Sequence, residues 1–99
     1  MTAIDTPLLP QISLIEASDD YVRIHFRDAP PLVVRTTLKN LLTQLPASDF
    51  VRVHRSYVVP LRHIENVHRK TIFIDRREVP LGARYEKDFW ERFFTTFPK

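Results

Sequence analysis

Short stretches in which apolar and polar residues alternate recur along the chain. This spacing predicts β-strands because neighbouring side chains of a strand point to opposite faces. In residues 21–27, Val22, Ile24 and Phe26 share one face, and polar residues occupy the other. Turn-forming residues separate this stretch from its neighbours, which predicts an antiparallel meander of the first three strands. The predicted strands cover residues 11–16, 21–27, 32–35, 50–54, 57–59, 64–68, 71–75 and 78–81.

A different period predicts an internal helix in the first half of the chain. Leucines three and four residues apart follow Thr36 and Thr37, either of which can cap a helix. Pro46 stops the pattern, because proline cannot continue a helix ladder. The leucines of this apolar stripe are Leu38, Leu41, Leu42 and Leu45.

The spacing of aromatic residues in 83–97 predicts a C-terminal helix with two adjacent aromatic stripes. Six aromatic side chains are more than a short terminal helix buries in so small a domain. We expect one stripe to pack on the sheet, and the other is a candidate dimer or partner surface, with ordinary core packing as the alternative. The packing stripe is Tyr85, Phe89 and Phe93; the candidate partner surface is Trp90, Phe94 and Phe97.

Together these patterns predict one mostly β domain, at the margin of α+β, over residues 11–99. Residues 1–10 contain Pro7 and Pro10 and show no periodicity, which predicts a flexible lead-in. The length of 99 residues allows one compact domain, and 43% hydrophobic residues are enough to form its core.

Composition excludes several classes of site. The chain has no Cys and one Gly, so disulfides, thiolate zinc sites and glycine-rich phosphate loops are ruled out. No apolar run is long enough to span a membrane, and the first residues lack the features of a signal peptide. We therefore expect a cytoplasmic protein that works without a cofactor.

Charge is distributed unevenly between the two halves of the chain. Residues 1–50 hold 4 Lys and Arg against 6 Asp and Glu, whereas residues 51–99 hold 11 against 6. A basic half suggests a polyanionic partner, nucleic acid first and an anionic membrane second. A solvated charged surface is the simpler alternative.

Catalytic and metal-binding arrangements are weak in this sequence. Ser56 lies near His54 and Asp49, but the members of a catalytic triad normally converge from separate segments. The four histidines show no pair four residues apart on a predicted helix. We expect neither an enzyme, nor a metal site, nor a small-molecule substrate.

The stretch Phe50–Tyr57, with the sequence FVRVHRSY, carries the most chemistry. On an alternating strand, Arg52 faces away from the valines, while Arg55 and Ser56 begin the following turn. Arginine forks and a small hydroxyl suit phosphate oxygens, although arginines in such positions are often only solvated.

Phe50–Val59, followed by His63 and Ile64, resembles the signature of the LytTR family of bacterial DNA-binding domains. Three other segments resemble this family in the same order and at suitable spacing, so that the resemblance extends from about Ile12 to Phe93. They are ISLIEASDDYVR at residues 12–23, RTTLKNLLTQLP at residues 35–46 and VPLGARYEKDF at residues 79–89.

The resemblance implies an elongated, antiparallel, mostly β domain whose loops enter DNA grooves. Such domains serve as output domains of two-component response regulators, and two copies bind paired promoter half-sites. By position, the implied base contacts are Asp20, Tyr21, Val22, Arg55 and Arg84. The implied contacts to the DNA backbone are Arg23, Lys39, Arg52, Ser56 and Lys87.

We therefore expect a sequence-specific regulator of bacterial transcription that binds double-stranded DNA, with a homodimer on DNA as an option. The main alternative is a protein-interaction module that docks through the C-terminal aromatic stripe. Salt separates these hypotheses, because phosphate binding weakens steeply with ionic strength and an aromatic interface does not. The sequence leaves open the DNA target, the activating signal, and whether the domain is standalone or part of a longer receiver- or membrane-fused protein.

Overall fold

A five-stranded antiparallel sheet forms the middle layer of the molecule, with strand order β3-β2-β1-β5-β4. The computed structural model describes residues 6–98. The central strand β1 is buried along its first four residues, because side chains pack against both of its faces. The strands are β1 Ile12–Ser18, β2 Tyr21–Phe26, β3 Leu32–Val34, β4 Phe50–His54 and β5 Tyr57–Pro60.

A three-stranded antiparallel sheet follows in the chain, in the order β6-β7-β8. Within residues 6–98 the two α-helices are α1, Leu38–Leu42, and α2, Glu86–Thr96. The prediction of a mostly β, antiparallel domain with one internal and one C-terminal helix is therefore confirmed. The three strands are β6 Ile64–His68, β7 Thr71–Ile74 and β8 Arg77–Pro80.

Two hydrophobic cores lie on opposite faces of the five-stranded sheet. The first lies under α1 and contains Ile15, Val22 and Leu41. The second is shared with the three-stranded sheet and α2, and contains Leu14 and Phe89. The molecule measures 36 × 27 × 24 Å, which is a modest elongation.

The cap of α1 confirms one of the two predicted residues. Thr37 has an extended backbone, and its Oγ1 accepts a hydrogen bond of 3.1 Å from the Asn40 N–H. This bond satisfies one of the free N–H groups at the start of the helix. Leu38 and Leu41 then point into the first core.

The segment before β1 differs from the predicted lead-in. Thr6–Gln11 forms a 3-10 helix, and Leu9 packs, partly buried, against the first core. The Gln11 carbonyl accepts from the Arg27 N–H at 2.8 Å, and Pro10 O lies 2.8 Å from His63 Nε2. These long-range contacts, which no local pattern reveals, join the segment to the end of β2 and to the residues that follow β5. The rest of the predicted lead-in, residues 1–5, lies outside the described residues.

Tight turns connect the hairpins without the glycine that such turns usually use. Asp19, Arg69, Asp75 and Arg76 all have positive φ, between 48° and 63°. In this region the Cβ of an ordinary residue is crowded, and Asp is one of the residues that tolerates it best. Within residues 6–98 no helix is long and apolar enough to cross a membrane.

Candidate nucleic-acid interface

Several turns of the two sheets meet at one end of the molecule. The Ala17 N–H donates to the Ser56 carbonyl at 2.9 Å, which sets the Asp19–Asp20 turn beside the Arg55–Ser56 turn. The Gly82 N–H donates to the Val53 carbonyl at 2.7 Å, and so joins the segment before α2 to the end of β4. Antiparallel strands bring every second turn to the same end of a sheet, which explains this convergence.

A third hydrogen bond brings the three-stranded sheet into the same row. The Leu81 N–H donates to the Lys70 carbonyl at 2.8 Å, which places the Arg69–Lys70 turn beside the segment before α2. We call this region the loop end: the Asp19–Asp20, Arg55–Ser56 and Arg69–Lys70 turns together with the 3-10 segment Ala83–Tyr85.

The loop end presents cations that have no partner inside the domain. Arg55 and Arg84, and Lys87 nearby on α2, are exposed, and within residues 6–98 none of their side chains makes a hydrogen bond or an ion pair. Arg23 is exposed and unpaired in the same sense, on β2 close to the Asp19–Asp20 turn. Unpaired guanidinium and ammonium groups in a row match the repeated phosphates of a nucleic-acid strand.

The predicted base-contact residues at the first turn separate into two groups. Asp20 is exposed, and Tyr21 is 47% exposed, so both side chains are accessible. Val22, by contrast, is 0% exposed and belongs to the first core. The prediction of a base contact by the Val22 side chain is therefore wrong, because the strand alternation turns it inward, under α1.

Ser56 is half-buried in the middle of the row. Its N–H donates to His54 Nδ1 at 3.1 Å, and the His54 ring packs on Tyr57 with 5.5 Å between ring centres. The turn is thus held by contacts among its own flanking residues.

Arg52 is not a free cation. It is half-buried, and its Nε donates to the His54 carbonyl at 3.3 Å. Its Nη2 donates to the Arg55 carbonyl at 2.5 Å, and its Cζ lies 5.9 Å from the centre of the Tyr85 ring. The guanidinium is therefore engaged in contacts within the protein.

Lys39 is not among the residues whose hydrogen bonds join these turns. It is exposed on α1, the helix that covers the first core. No hydrogen bond of the described residues joins it to a turn of the loop end. Its predicted role in contacting the DNA backbone stays a prediction.

Two basic residues of the loop end, Arg69 and Lys70, were not among the predicted DNA contacts. The sequence places Arg69 and Lys70 in a turn, but nothing local shows that this turn lies beside Ala83–Tyr85. Arg69 is exposed, and Lys70 Nζ lies 3.1 Å from the Glu86 carboxylate. Only the pairing of distant segments identifies them.

The two aromatic stripes of α2 have different surroundings. Phe89 is fully buried, and Tyr85 and Phe93 pack against the second core, as predicted for the first stripe. Trp90 also packs against this core, and its ring stacks on Phe94 with 5.5 Å between centres. The exposed part of the second stripe is therefore its outer end, where Phe94 is 47% and Phe97 38% exposed.

Within residues 6–98, no three His, Asp or Glu side chains are grouped so that they could hold a metal ion. The loop end is mostly basic and is built from turns at one end of the two sheets. Such a surface suits a polyanion whose grooves accept projecting side chains. Fold and site together define a β-type nucleic-acid-binding domain.

Comparison with known proteins narrows this class to one family. The family model of the LytTr DNA-binding domain matches residues 7–93. The chain belongs to the LytTR family, and the predicted resemblance is confirmed. Family membership makes it a DNA-binding domain.

Two similar proteins illustrate the setting of the family. An uncharacterized response regulatory protein of Vibrio cholerae is 30% identical over 87 residues, which cover 80% of this chain and 33% of the relative. The chain thus spans about a third of the length of that relative. A LytTr DNA-binding domain from a methyl-accepting/DNA response regulator of Bacillus cereus shares the fold, with a TM-score of 0.74, 22% identity and coverage of 84% of this chain and 81% of that one.

Proposed function

We propose that this domain binds specific DNA sequences by inserting the turns of its loop end into the grooves of the duplex. It would act in a bacterial response regulator, or as a standalone regulator, to control transcription. The observation that carries this proposal is the row of turns joined by the backbone hydrogen bonds of Ala17, Gly82 and Leu81, with unpaired cations directed outward.

Base recognition is assigned to side chains that project from the turns. Arg84 is exposed just before α2, and an arginine fork pairs best with the two acceptors of guanine. Arg55 projects from the Arg55–Ser56 turn, the central turn of the loop end, where a narrow minor groove would attract its charge. Asp20 and Tyr21 are accessible at the first turn, where a carboxylate can accept from a cytosine amino group.

Contacts to the DNA backbone position the domain and carry little sequence information. We assign them to exposed cations near the turns, Arg23 and Lys87, with Lys39 as an outlying contact and the Ser56 hydroxyl as a smaller donor. A single domain of this size offers few such contacts. We therefore infer that two copies bind paired half-sites on one face of the duplex, as a homodimer formed on DNA.

Selection of bound duplexes from a random DNA pool at physiological salt tests this proposal. We expect enrichment of a short motif that occurs twice, about one helical turn apart. Binding of the enriched duplex should weaken steeply as salt rises, since phosphate contacts release counterions.

Failure to enrich any motif would contradict sequence-specific binding. Salt-independent capture of a protein partner would instead favour the interaction module, whose exposed residues are Phe94 and Phe97. A Phe94→Ser variant separates the two functions, because only the interaction module requires this ring.

A further inference from the structure

Arg52 makes a set of internal contacts that the resemblance to DNA-contacting positions does not explain. Its guanidinium spans two successive carbonyls, those of His54 and Arg55, at 3.3 and 2.5 Å. A cation meant for phosphate would direct these N–H groups outward. Here they are directed into the turn that carries Arg55 and Ser56.

The same guanidinium also contacts the neighbouring segment. Its Cζ lies 5.9 Å from the centre of the Tyr85 ring, and this residue directly follows Arg84. Gly82, at the start of that segment, is bonded to Val53 and lies close to the rings of Tyr85 and His54. One side chain therefore contacts both the central turn and the segment that presents Arg84.

We propose that Arg52 is a positioning residue that fixes the Arg55–Ser56 turn and the Ala83–Tyr85 segment relative to each other. This role rests on the proposed function, since Arg52 would set the spacing between Arg55 and Arg84, which would enter neighbouring grooves. In this role, Arg52 contributes to DNA affinity without touching a phosphate.

The chemistry of the side chain explains why arginine stands at this position. A guanidinium is planar and offers several N–H donors in a fixed fork, so that it can bond two carbonyls and stack on an aromatic ring together. A lysine ammonium keeps the charge and can still bind phosphate as a point charge. It cannot bond both carbonyls and approach the Tyr85 ring at once.

The test compares Arg52→Gln and Arg52→Lys with two control variants. Lys87→Gln serves as the benchmark for a lost phosphate contact. Arg76→Gln removes the same charge from the Asp75–Arg76 turn, at the opposite end of β7. Thermal unfolding first establishes that each variant is folded. Affinity for the enriched duplex and for a random duplex is then measured at several salt concentrations.

We expect both Arg52 variants to lose about tenfold in affinity, the size of one or two charge-assisted hydrogen bonds. The slope of log affinity against log salt should stay at the wild-type value, whereas Lys87→Gln should lower its magnitude by about 0.9. Wild-type affinity in Arg52→Lys, or a reduced slope in Arg52→Gln, would overturn the proposal. Arg76→Gln should leave both quantities unchanged.

A measurement without DNA keeps this inference separate from the proposed function. Amide hydrogen exchange at Ser56 and Gly82 should become faster in both Arg52 variants and stay unchanged in Arg76→Gln. If the wild-type chain binds no duplex, the proposed function fails, and amide exchange alone tests the positioning role of Arg52. Unchanged exchange at both amides would then overturn it.

Discussion

Basic residues lie at both ends of the sheets, but the segments at the two ends are joined in different ways. At the loop end, backbone hydrogen bonds of Ala17, Gly82 and Leu81 join the turns, and the cations Arg55 and Arg84 remain unpaired. We call the opposite end, around Arg27, Arg62–His63 and the Asp75–Arg76 turn, the far end. There, side chains themselves make the connections between segments.

The far-end contacts centre on histidines. Arg27 Nη1 lies 3.4 Å from His63 Nδ1, and His63 Nε2 lies 2.8 Å from the Pro10 carbonyl. Arg77 from the second sheet donates to His25 Nδ1 at 3.4 Å, and His25 Nε2 lies 2.6 Å from the Glu16 carboxylate. A cation used to hold the fold together is less available to a ligand, so basic composition alone does not locate a binding surface.

Removing a core residue is the most severe test, because both ends depend on the second core. Phe89→Ala deletes a fully buried ring that anchors α2, and we expect the free energy of unfolding to fall by about 3–5 kcal/mol. Urea denaturation measures this loss. Phe94→Ala, on the exposed side of the same helix, is the matched control and should lose only about 0.5–1.5 kcal/mol, because its ring is half-exposed and stacks on Trp90. Equal losses in both variants would mean that α2 is not anchored as described.

Arg84→Ala and Arg76→Ala compare the two ends for binding. Loss of Arg84 should cost about 1–3 kcal/mol on the enriched duplex and much less on a random one, because a base contact is lost. Arg76→Ala, at the far end, should leave both affinities at the wild-type value. Fluorescence anisotropy with labelled duplexes gives the affinities. A loss from Arg84→Ala that is equal on both duplexes would contradict its role in base recognition.

His25→Leu tests whether far-end contacts serve stability alone. The variant leaves the Glu16 carboxylate and Arg77 without their shared partner, and we expect a loss of about 1–2 kcal/mol in the free energy of unfolding. DNA affinity should not change. His68→Leu, an exposed histidine at the end of β6, is the control for stability. Wild-type stability of His25→Leu would show that the pair with Glu16 contributes nothing.

Lys87→Ala should have the smallest effect. Because a phosphate contact carries no sequence information, we expect a uniform loss of less than about 1 kcal/mol on every duplex and a salt slope reduced by about one. Titrations of the enriched and random duplexes at several salt concentrations measure both quantities. A loss confined to the enriched duplex would reassign Lys87 to base recognition.

Local sequence patterns were sufficient for most of the fold. The strand stretches and the cap at Thr37 depend on residues within a few positions of each other, and the structure agrees to within about two residues. The internal helix is shorter than predicted, because α1 ends at Leu42 and Leu45 lies in the turn that follows. Val22 shows how two arguments can disagree. The alternation of apolar and polar residues predicts that Val22 faces the core, whereas its position in the family resemblance predicts a base contact. Its complete burial agrees with the alternation.

The remaining features depend on contacts between distant segments. His25 occupies the polar face of β2 by pattern, yet it is almost fully buried beside Arg77 from the second sheet. Arg52 alternates as an exposed residue should, but its partners include a ring more than thirty positions along the chain. The neighbourhood of Lys70 and Leu81 likewise follows from tertiary packing, which no local period encodes.

The position of the five-stranded sheet between two cores has a consequence for folding cooperativity. Leu14 and Ile15 are adjacent in β1, yet one side chain belongs to the second core and the other to the first. Loosening either core therefore perturbs the strand on which the other is built. The described domain should melt in a single all-or-none transition, and the most protected amides on both sides of the sheet should exchange only through global unfolding.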